Sequence, residues 1–517
     1  MDKHGQAMDF IIAGLRKGGD LAALKLDAAR KFGVARVPRN SDLIARLRAR
    51  NPRLLRSLLP LLQKRPMRTL SGVTPVAVMV KPEGSCPYSC IYCPAGLGAK
   101  SYTGFEPAAL RARQEGFDAC GQVRNRLRHY SECGHPTDKC ELILMGGTFL
   151  RMPGDYRRSF VKGIYDGLNG KTGRTLSDSQ KINERAGSRA VGLTIETRPD
   201  VCGESEISEM LFFGATRCEL GVQHPDDEIY RAINRGHGTA DVVRATALLK
   251  DSAFKVLYHI MPGLPGSNPA RDVAMVKRLF SDEGFRPDML KIYPALVMPG
   301  TGLEKMMREG DYEPYGTETA VETISEFYRH VPSYVRVMRI QRDIPVQLIA
   351  AGAKNSNLRQ LVEERVRRKR IRTREIRMRE VGSDMGNRDD FKIKKLEYGA
   401  SAGKEVFISY ENGDSMLAGF LRLRIPHAPF RKEIDAETAL VRELHVYGAE
   451  AGVGERDPKK AQHSGFGSML LEEAERIAQE QFGMKKMLVI SGIGARDYYR
   501  KRGYRLRGAY MAKRMPD

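Results

Sequence analysis

The sequence contains no tryptophan, and only 7% of its 517 residues are aromatic. Long apolar stretches are missing as well. The longest spans about six residues (Val76 to Val80 and their neighbours), far short of the roughly 20 that a membrane-crossing helix needs. No membrane partner is therefore expected. Cysteine is scarce, at eight residues, which excludes a disulfide scaffold. Six of the eight fall before residue 141, and three of those crowd into 86–93, a placement that suits metal ligands or ordinary thiols. The opening MDKHGQAMDF has no charged-then-apolar leader pattern, so a cytoplasmic location is expected. Acidic residues are outnumbered, 63 against 86 basic, for a formal charge of +23 and a pI near 9.7.

What is present is enough for packed cores: 41% of residues are hydrophobic and 29% charged, which excludes a disordered tail or a fibre. The length suggests roughly three domains at about 150 residues each. The basic excess is concentrated. Residues 1–70 carry +11 and residues 365–379 carry +8. Such stripes are the electrostatic footprint of a polyanion, so a nucleic acid is the expected partner. A merely solvated surface is the plainer alternative for either stripe alone.

Residues 1–65 read as short helices, with Phe10, Ile11, Ile12 and Leu15 at helical spacing and Asp20 and Ser41 as N-caps. From residue 73 the pattern changes. Six β-rich runs follow, at Val76–Val80, Leu142–Met145, Val191–Glu196, Cys218–Gln223, Lys255–Ile260 and Leu290–Tyr293, each with room for a helix after it. Six strand-then-helix units predict a parallel sheet with right-handed crossovers, its chemistry in loops at the carboxyl ends of the strands. Residues 346–395 read as a basic linker. Beyond 404 the pattern predicts an antiparallel hairpin around Asn412-Gly413, a strand over Val441–Tyr447, a helix over Ser468–Phe482 and a strand over Met487–Ser491.

Cys86-Pro-Tyr-Ser-Cys90-Ile-Tyr-Cys93 follows the first strand directly. Three thiolates at these spacings suit three corners of a [4Fe-4S] cluster and leave the fourth iron open. Cys-x3-Cys-x2-Cys at the end of strand one is the radical S-adenosylmethionine signature, in which the open iron chelates the methionine amino and carboxylate groups. A partial zinc knuckle is the competing reading, but no second cysteine pair stands at zinc-ribbon spacing. Gly146 and Gly147, after strand two, allow backbone to approach the methionine, and Glu196, ending strand three, is placed to meet its ribose or amino group. Near the C-terminus, Gln462-His463-Ser464-Gly465-Phe466-Gly467 lies between a strand and a helix. Q-x-x-G-x-G there is the pyrophosphate loop of GCN5-related acetyltransferases (GNAT), its N–H groups facing phosphate at a helix N-terminus. The strand Arg442–Val446 would offer its backbone to the pantetheine arm. Tyr498 and Tyr499, before Gly503, are candidate acids near the thioester sulfur.

These motifs, with strings such as Ile195-Glu-Thr-Arg-Pro-Asp200, Asn234-Arg-Gly-His237, Leu290-Lys-Ile-Tyr-Pro294 and Arg442-Glu-Leu-His-Val-Tyr-Gly448, closely resemble one family over residues 70–517: the catalytic subunit of Elongator in its stand-alone archaeal or bacterial form. The resemblance implies an α/β fold, a radical S-adenosylmethionine partial (β/α)6 barrel (71–345) and a GNAT domain (396–517), preceded by a basic helical region (1–70) that binds tRNA and separated by the linker 346–395. It implies acetyl-CoA as substrate. Hydrogen is removed from its methyl group, the carbon adds to C5 of the wobble uridine of tRNA, and loss of CoA leaves a carboxymethyl-type group. On this resemblance Cys86, Cys90 and Cys93 are cluster ligands. Lys139, Glu443, Leu444, His445, Val446, Phe466, Gly467, Ser468 and Tyr499 contact CoA, beside Gly465. An electron donor is required, and a homodimer is compatible. Some relatives carry zinc-binding cysteines before the string Arg379-Glu-Val-Gly382; here Thr373, Glu375 and Met378 stand there instead, so no linker zinc is expected. Cys133 and Cys140 bracket His135 as a candidate metal trio, with incidental cysteines as the plainer reading. The competing function is a protein lysine acetyltransferase with Glu443 as base and a structural cluster, and a third is a tRNA-binding scaffold with inactive sites. Basic histone tails would be repelled by the basic stripes, which favours tRNA.

Overall fold

The computed structural model describes residues 2–64, 69, 71–82, 86–94, 99, 101–147, 149–382, 385–448 and 465–516. Four helices open the chain, at Lys3–Arg16, Leu21–Phe32, Asn40–Arg50 and Pro52–Leu62. Asp20 caps the second, accepting from Ala23 N at 2.8 Å. Ser41 is not a cap: the third helix starts one residue earlier, and Asp42 closes its first turn by accepting from Arg39 N. Ile11, Leu15, Leu43, Ile44 and Leu47 join Leu58 and Leu62 in a small core of their own.

The first sheet has seven parallel strands in sequential order: β1 (Val73–Met79), β2 (Lys139–Met145), β3 (Arg189–Thr197), β4 (Arg217–Gln223), β5 (Lys255–Ile260), β6 (Met289–Ile292) and β7 (Arg336–Ile340). The expected count of six is therefore one too low. Helices between the strands cover the outer face, where Cys140, Leu142 and Leu144 of β2 and Cys218, Leu220 and Val222 of β4 are buried. The alternate residues turn inward. Pro75, Ile143, Glu196, Glu219, His259, Lys291 and Arg339, one from each strand, line a single cavity, so the sheet is curled into a half-barrel.

The second sheet is mixed, in the order β13-β14-β12-β11-β10-β9-β8. Its strands are β8 (Lys392–Ala400), β9 (Gly403–Glu411), β10 (Leu417–Ile425), β11 (Thr438–Val446), β12 (Lys486–Val489), β13 (Arg505–Arg507) and β14 (Tyr510–Arg514). Only β11 and β12 run parallel, and they pair over just four residues, Thr438 to Val441. The segment read as a linker is largely built into the structure. Helix Leu358–Arg368 buries Leu358, Val362 and Val366, and β8 already begins at Lys392. Both sheets share one apolar core.

Candidate active site

The three cysteines of the loop after β1 lie at one end of a cavity of about 700 Å³ inside the half-barrel. All three cysteines are partly exposed, and none is in a disulfide among the described residues. Two guanidinium groups approach Cys90 Sγ: Arg235 Nη1 at 3.5 Å and Arg198 Nη1 at 3.8 Å. Both place positive charge beside a sulfur that the sequence motif marks as a metal ligand. Arg198 also stacks on the Tyr88 ring at 3.4 Å, donates to Asp200 Oδ1 at 2.9 Å, and donates to the Arg235 carbonyl at 2.7 Å. Asp200 accepts from the Tyr88 hydroxyl as well. The cysteine loop is thus clamped to the ends of β3 and β4. Neither arginine is singled out by spacing alone, although both sit in strings that the sequence displays.

Gly146 and Gly147 end β2, and Gly147 lines the cavity. Thr148 lies outside the described residues. Glu196 faces the same cavity and accepts from the Tyr102 hydroxyl at 2.7 Å. Deeper in, Glu219 accepts from His259 Nε2 at 2.8 Å and pairs with the Lys291 ammonium, which also stands 3.8 Å from Glu196. Burial opposes the charge on Glu219, but Lys291, the His259 bond and Arg217 outweigh it and hold the carboxyl well below the usual range. Burial likewise opposes the charge on Lys291, and Glu219 reverses it. Burial, reinforced by Glu196, pushes the Tyr102 hydroxyl up. Sequence reasoning missed Glu219, His259 and Lys291. They sit at alternate positions of three different strands, so no local motif links them. The detectable signal is a polar residue at the inward position of a buried strand.

A second candidate site lies on the second sheet. Beyond Val441 the paths of β11 and β12 separate, and among the described residues Glu443 to Val446 pair only with β10. The N-terminus of helix Phe466–Glu480 stands at this opening. Gly465 caps it in a left-handed conformation (φ 81°). Phe466 and Gly467 carry N–H groups that a helix cannot satisfy internally. The Phe466 side chain is buried against Tyr410, at 4.6 Å between ring centres, so only its backbone is available to a ligand. Gly467 lies beneath Tyr498: a Cβ there would come 2.7 Å from the Tyr498 hydroxyl and 3.7 Å from Val446. Ser468 Oγ accepts from Arg502 Nη2 at 2.5 Å, and that guanidinium also covers the Tyr498 ring at 3.6 Å. Tyr499 is packed between Tyr498 and Tyr504, so Tyr498 is the tyrosine nearer the helix start. Gln462, His463 and Ser464 lie outside the described residues.

The side chains of the other candidates make separate contacts. Glu443 accepts from Arg422 Nε at 2.8 Å. Burial raises its pKa, yet Arg422 and Lys255 bring it below the usual carboxylate range. Leu444 is partly buried, and the His445 ring lies 4.4 Å from Tyr447. Lys139 begins β2, about 20 Å along the strand from Met145 and the cysteine end. Cys133, His135 and Cys140 do not form a ligand set. His135 Nδ1 is shared by Gln63 Nε2 and Thr69 Oγ1, both at 2.9 Å, and Cys140 points into the core. At Glu375 the carboxylate accepts from the Val337, Arg377 and Met378 N–H groups.

Comparison with known proteins fits this geometry. Residues 81–279 match the model of the radical SAM superfamily, residues 287–368 the radical SAM C-terminal domain, and residues 8–70 the ELP3 N-terminal domain. The chain is 48% identical over 494 residues to the tRNA uridine(34) acetyltransferase of Methanocaldococcus infernus, covering 92% of each chain. It is 43% identical over 515 residues to mouse Elongator complex protein 3, covering 96% of this chain and 93% of that one. The chain belongs to the Elongator complex protein 3 family. A solved structure of Methanocaldococcus infernus Elp3, with residues 1–46 deleted, superposes with a TM-score of 0.77 at 46% identity, covering 86% of this chain and 99% of that one. The half-barrel is thus a radical SAM domain within this family. No helix among the described residues is long and apolar enough to cross a membrane.

Proposed function

We propose that this member of the family installs a carboxymethyl-type group at C5 of the wobble uridine of tRNA, with acetyl-CoA as carbon donor. The observation that supports this reading best is the pairing of two unlike sites in one chain. One is a cysteine triad on a polar cavity, flanked by Arg198 and Arg235. The other is a helix N-terminus at a parted strand pair, suited to a pyrophosphate. The donor set fits a [4Fe-4S] cluster: three partly exposed thiols on one loop, cationic neighbours and cavity space beside them for S-adenosylmethionine. Together these groups, when bound and supplied with an electron by a donor, furnish a 5′-deoxyadenosyl radical that removes hydrogen from the acetyl methyl group. The chain's own residues position the rest. Gly147 and Glu196 face the cofactor cavity. On the second sheet, which we assign as a GNAT domain beginning near residue 392, the Phe466 and Gly467 N–H groups hold phosphate, and the backbone of Glu443 to Val446 takes the pantetheine arm.

A protein acetyltransferase with Glu443 as base is the weaker reading, because that carboxylate is already tied to Arg422. The basic surface for tRNA is supplied by residues 1–70, where Arg16, Lys17, Arg30, Arg53 and Arg56 are exposed. The test is anaerobic reconstitution with acetyl-CoA labelled in its methyl carbon, S-adenosylmethionine and tRNA, followed by nucleoside mass analysis. A labelled wobble nucleoside is expected. Its absence, or a product without the label, would overturn the reading.

A further inference from the structure

Once a carbon radical has added to C5 of uracil, C5 still bears its original hydrogen and the unpaired electron sits at C6. Restoring the aromatic base requires that hydrogen to leave as a proton, so the cavity must contain a proton acceptor. The lining residues offer few. Both oxygens of Glu106 accept from backbone N–H groups, of Thr103 at 2.8 Å and Gly104 at 3.0 Å. Glu196 is held by Tyr102 and Lys291. Asp343 is paired with Arg339. Glu219 carries Lys291 on Oε2, and its Oε1 faces Arg217 Nε at 3.5 Å. Tyr102 and Tyr293 are kept protonated by burial, and Lys291 by burial overcome by Glu219. His259 differs. Its Nε2 is engaged by Glu219 at 2.8 Å, its ring packs edge-on to Tyr293 at 5.4 Å, and its Nδ1 makes no hydrogen bond with a described residue.

We propose that His259, oriented by Glu219, is the base that removes the C5 proton of the target uridine. This rests on the function proposed above. A neutral imidazole that donates from Nε2 to a carboxylate presents a lone pair at Nδ1, and the carboxylate stabilises the imidazolium that forms. Lys291 has a separate part: it offsets the charge of Glu219, whose carboxylate orients the ring. The step balances. The C5–H bond breaks and its proton passes to His259 Nδ1. Its electron pair joins the unpaired electron of C6, which rebuilds the C5–C6 double bond and leaves one electron in excess. The excess electron would pass to an oxidised iron–sulfur centre, the acceptor class that Cys86, Cys90 and Cys93 would hold. Imidazolium then returns its proton to water at the cavity mouth. A metal ion on Glu196, Glu219 and His259 is the other chemistry this cluster invites, since their ligand atoms lie within 4.8 Å of one another. The Lys291 ammonium already supplies the positive charge there.

The experiment compares full-length wild type, His259→Asn and Glu219→Gln. With cluster, S-adenosylmethionine, acetyl-CoA and tRNA, both variants should still form 5′-deoxyadenosine within about threefold of wild type, while modified nucleoside falls about 100-fold in His259→Asn. In its place a nucleoside heavier by two hydrogen atoms should appear, the 5,6-dihydro form left when the C6 radical is quenched before the proton is lost. Added imidazole should restore part of the product in His259→Gly. Without the cluster, tRNA affinity by fluorescence anisotropy should be unchanged in all variants. Unaltered product in His259→Asn would overturn the assignment. So would joint loss of 5′-deoxyadenosine and product in both variants, or tRNA affinity weakened more than about tenfold without the cluster. A nucleoside still joined to CoA would give His259 to thioester hydrolysis instead, and also overturn it. Failure of the wild type to modify tRNA would strike the proposed function first and carry this inference with it.

Discussion

Single side chains decide how the two sites are built, and Gly467 shows how finely. In the first turn of a helix, alanine is ordinarily preferred to glycine by about 1 kcal/mol. Here the added methyl would meet the Tyr498 hydroxyl at 2.7 Å, and that oxygen is buried without a well-aligned hydrogen bond among the described residues. Overlap should outweigh propensity, so Gly467→Ala is expected to cost about 1–2 kcal/mol in urea unfolding. Removing the hydroxyl leaves the nearest ring carbon 3.7 Å from the new methyl, an ordinary contact. In a Tyr498→Phe background the same alanine should therefore be neutral or stabilising. A double-mutant cycle measures this directly, and additivity would refute the contact. Cys90→Ser poses a different question. It removes one of the three proposed ligands at a partly exposed position, so cluster absorbance should be lost while the melting temperature moves by only a few degrees.

At the scale of elements, the basic segment 365–379 divides in two. Arg365 reaches Glu318 at 2.7 Å and Glu322 at 2.6 Å, and Lys369 reaches Glu326 at 2.7 Å, so these cations fasten helix Leu358–Arg368 to helix Thr317–Phe327. Arg367, Arg370, Arg372, Arg374 and Arg377 are exposed instead. Alanine at those five should weaken tRNA binding at all sequences and flatten its log–log salt dependence by about one unit for each phosphate no longer neutralised. Alanine at Arg365 and Lys369 should lower the melting temperature and leave the slope unchanged. Equal slopes for the two sets would place the tRNA elsewhere. The same segment shows why sequence reading stopped where it did. Apolar alternation revealed six strands and the hairpin, because those runs are bounded by turn residues. Arg336-Val-Met-Arg-Ile340 and Lys392-Ile-Lys-Lys-Leu396 are strands rich in basic residues, so they blend into the surrounding charge. The cysteine loop stands out because its three cysteines are adjacent in sequence. The Glu219, His259 and Lys291 group was not, because only strand register brings it together: His259 stands opposite Lys291, and Glu219 opposite Leu257, two residues before it.

For the molecule as a whole, the joint between the two sheets is charged and dry. Arg442, the extra residue of a bulge in β11, donates to Asp288 Oδ1 at 2.6 Å and to Glu405 Oε2 at 2.8 Å. Arg424 joins Glu405 to Asp251, and none of Arg442, Asp288, Arg424 and Glu405 is more than 1% exposed. Gly492 allows backbone contact nearby; a Cβ there would fall 2.2 Å from the Val191 carbonyl of β3. Lys250 sits in the same group without a hydrogen bond, 3.7 Å from Asp288 and 3.6 Å from Glu405. Breaking one side of a buried pair strands the other charge, so Asp288→Asn should cost about 3–5 kcal/mol, whereas Lys250→Met should change stability by about 1 kcal/mol or less at pH 7. The pH dependence follows from the same charges. Burial resists ionisation of Asp288 and Glu405, but Arg442 and Lys250 hold both below their ordinary values of 3.8 and 4.5. The folded state then binds fewer protons than the unfolded one, and stability is lost as pH falls below about 4.5. Lys250 acts at the other end. Burial brings its pKa down from 10.5 to about 8, against the pull of Asp288 and Glu405. Between those two values the unfolded chain holds the extra proton, so stability should gain with rising pH in that window relative to Lys250→Met. Urea midpoints of the two proteins from pH 7 to 10 test this. Parallel curves would mean that Lys250 keeps its proton in the fold, and that the joint holds three cations as tightly as two.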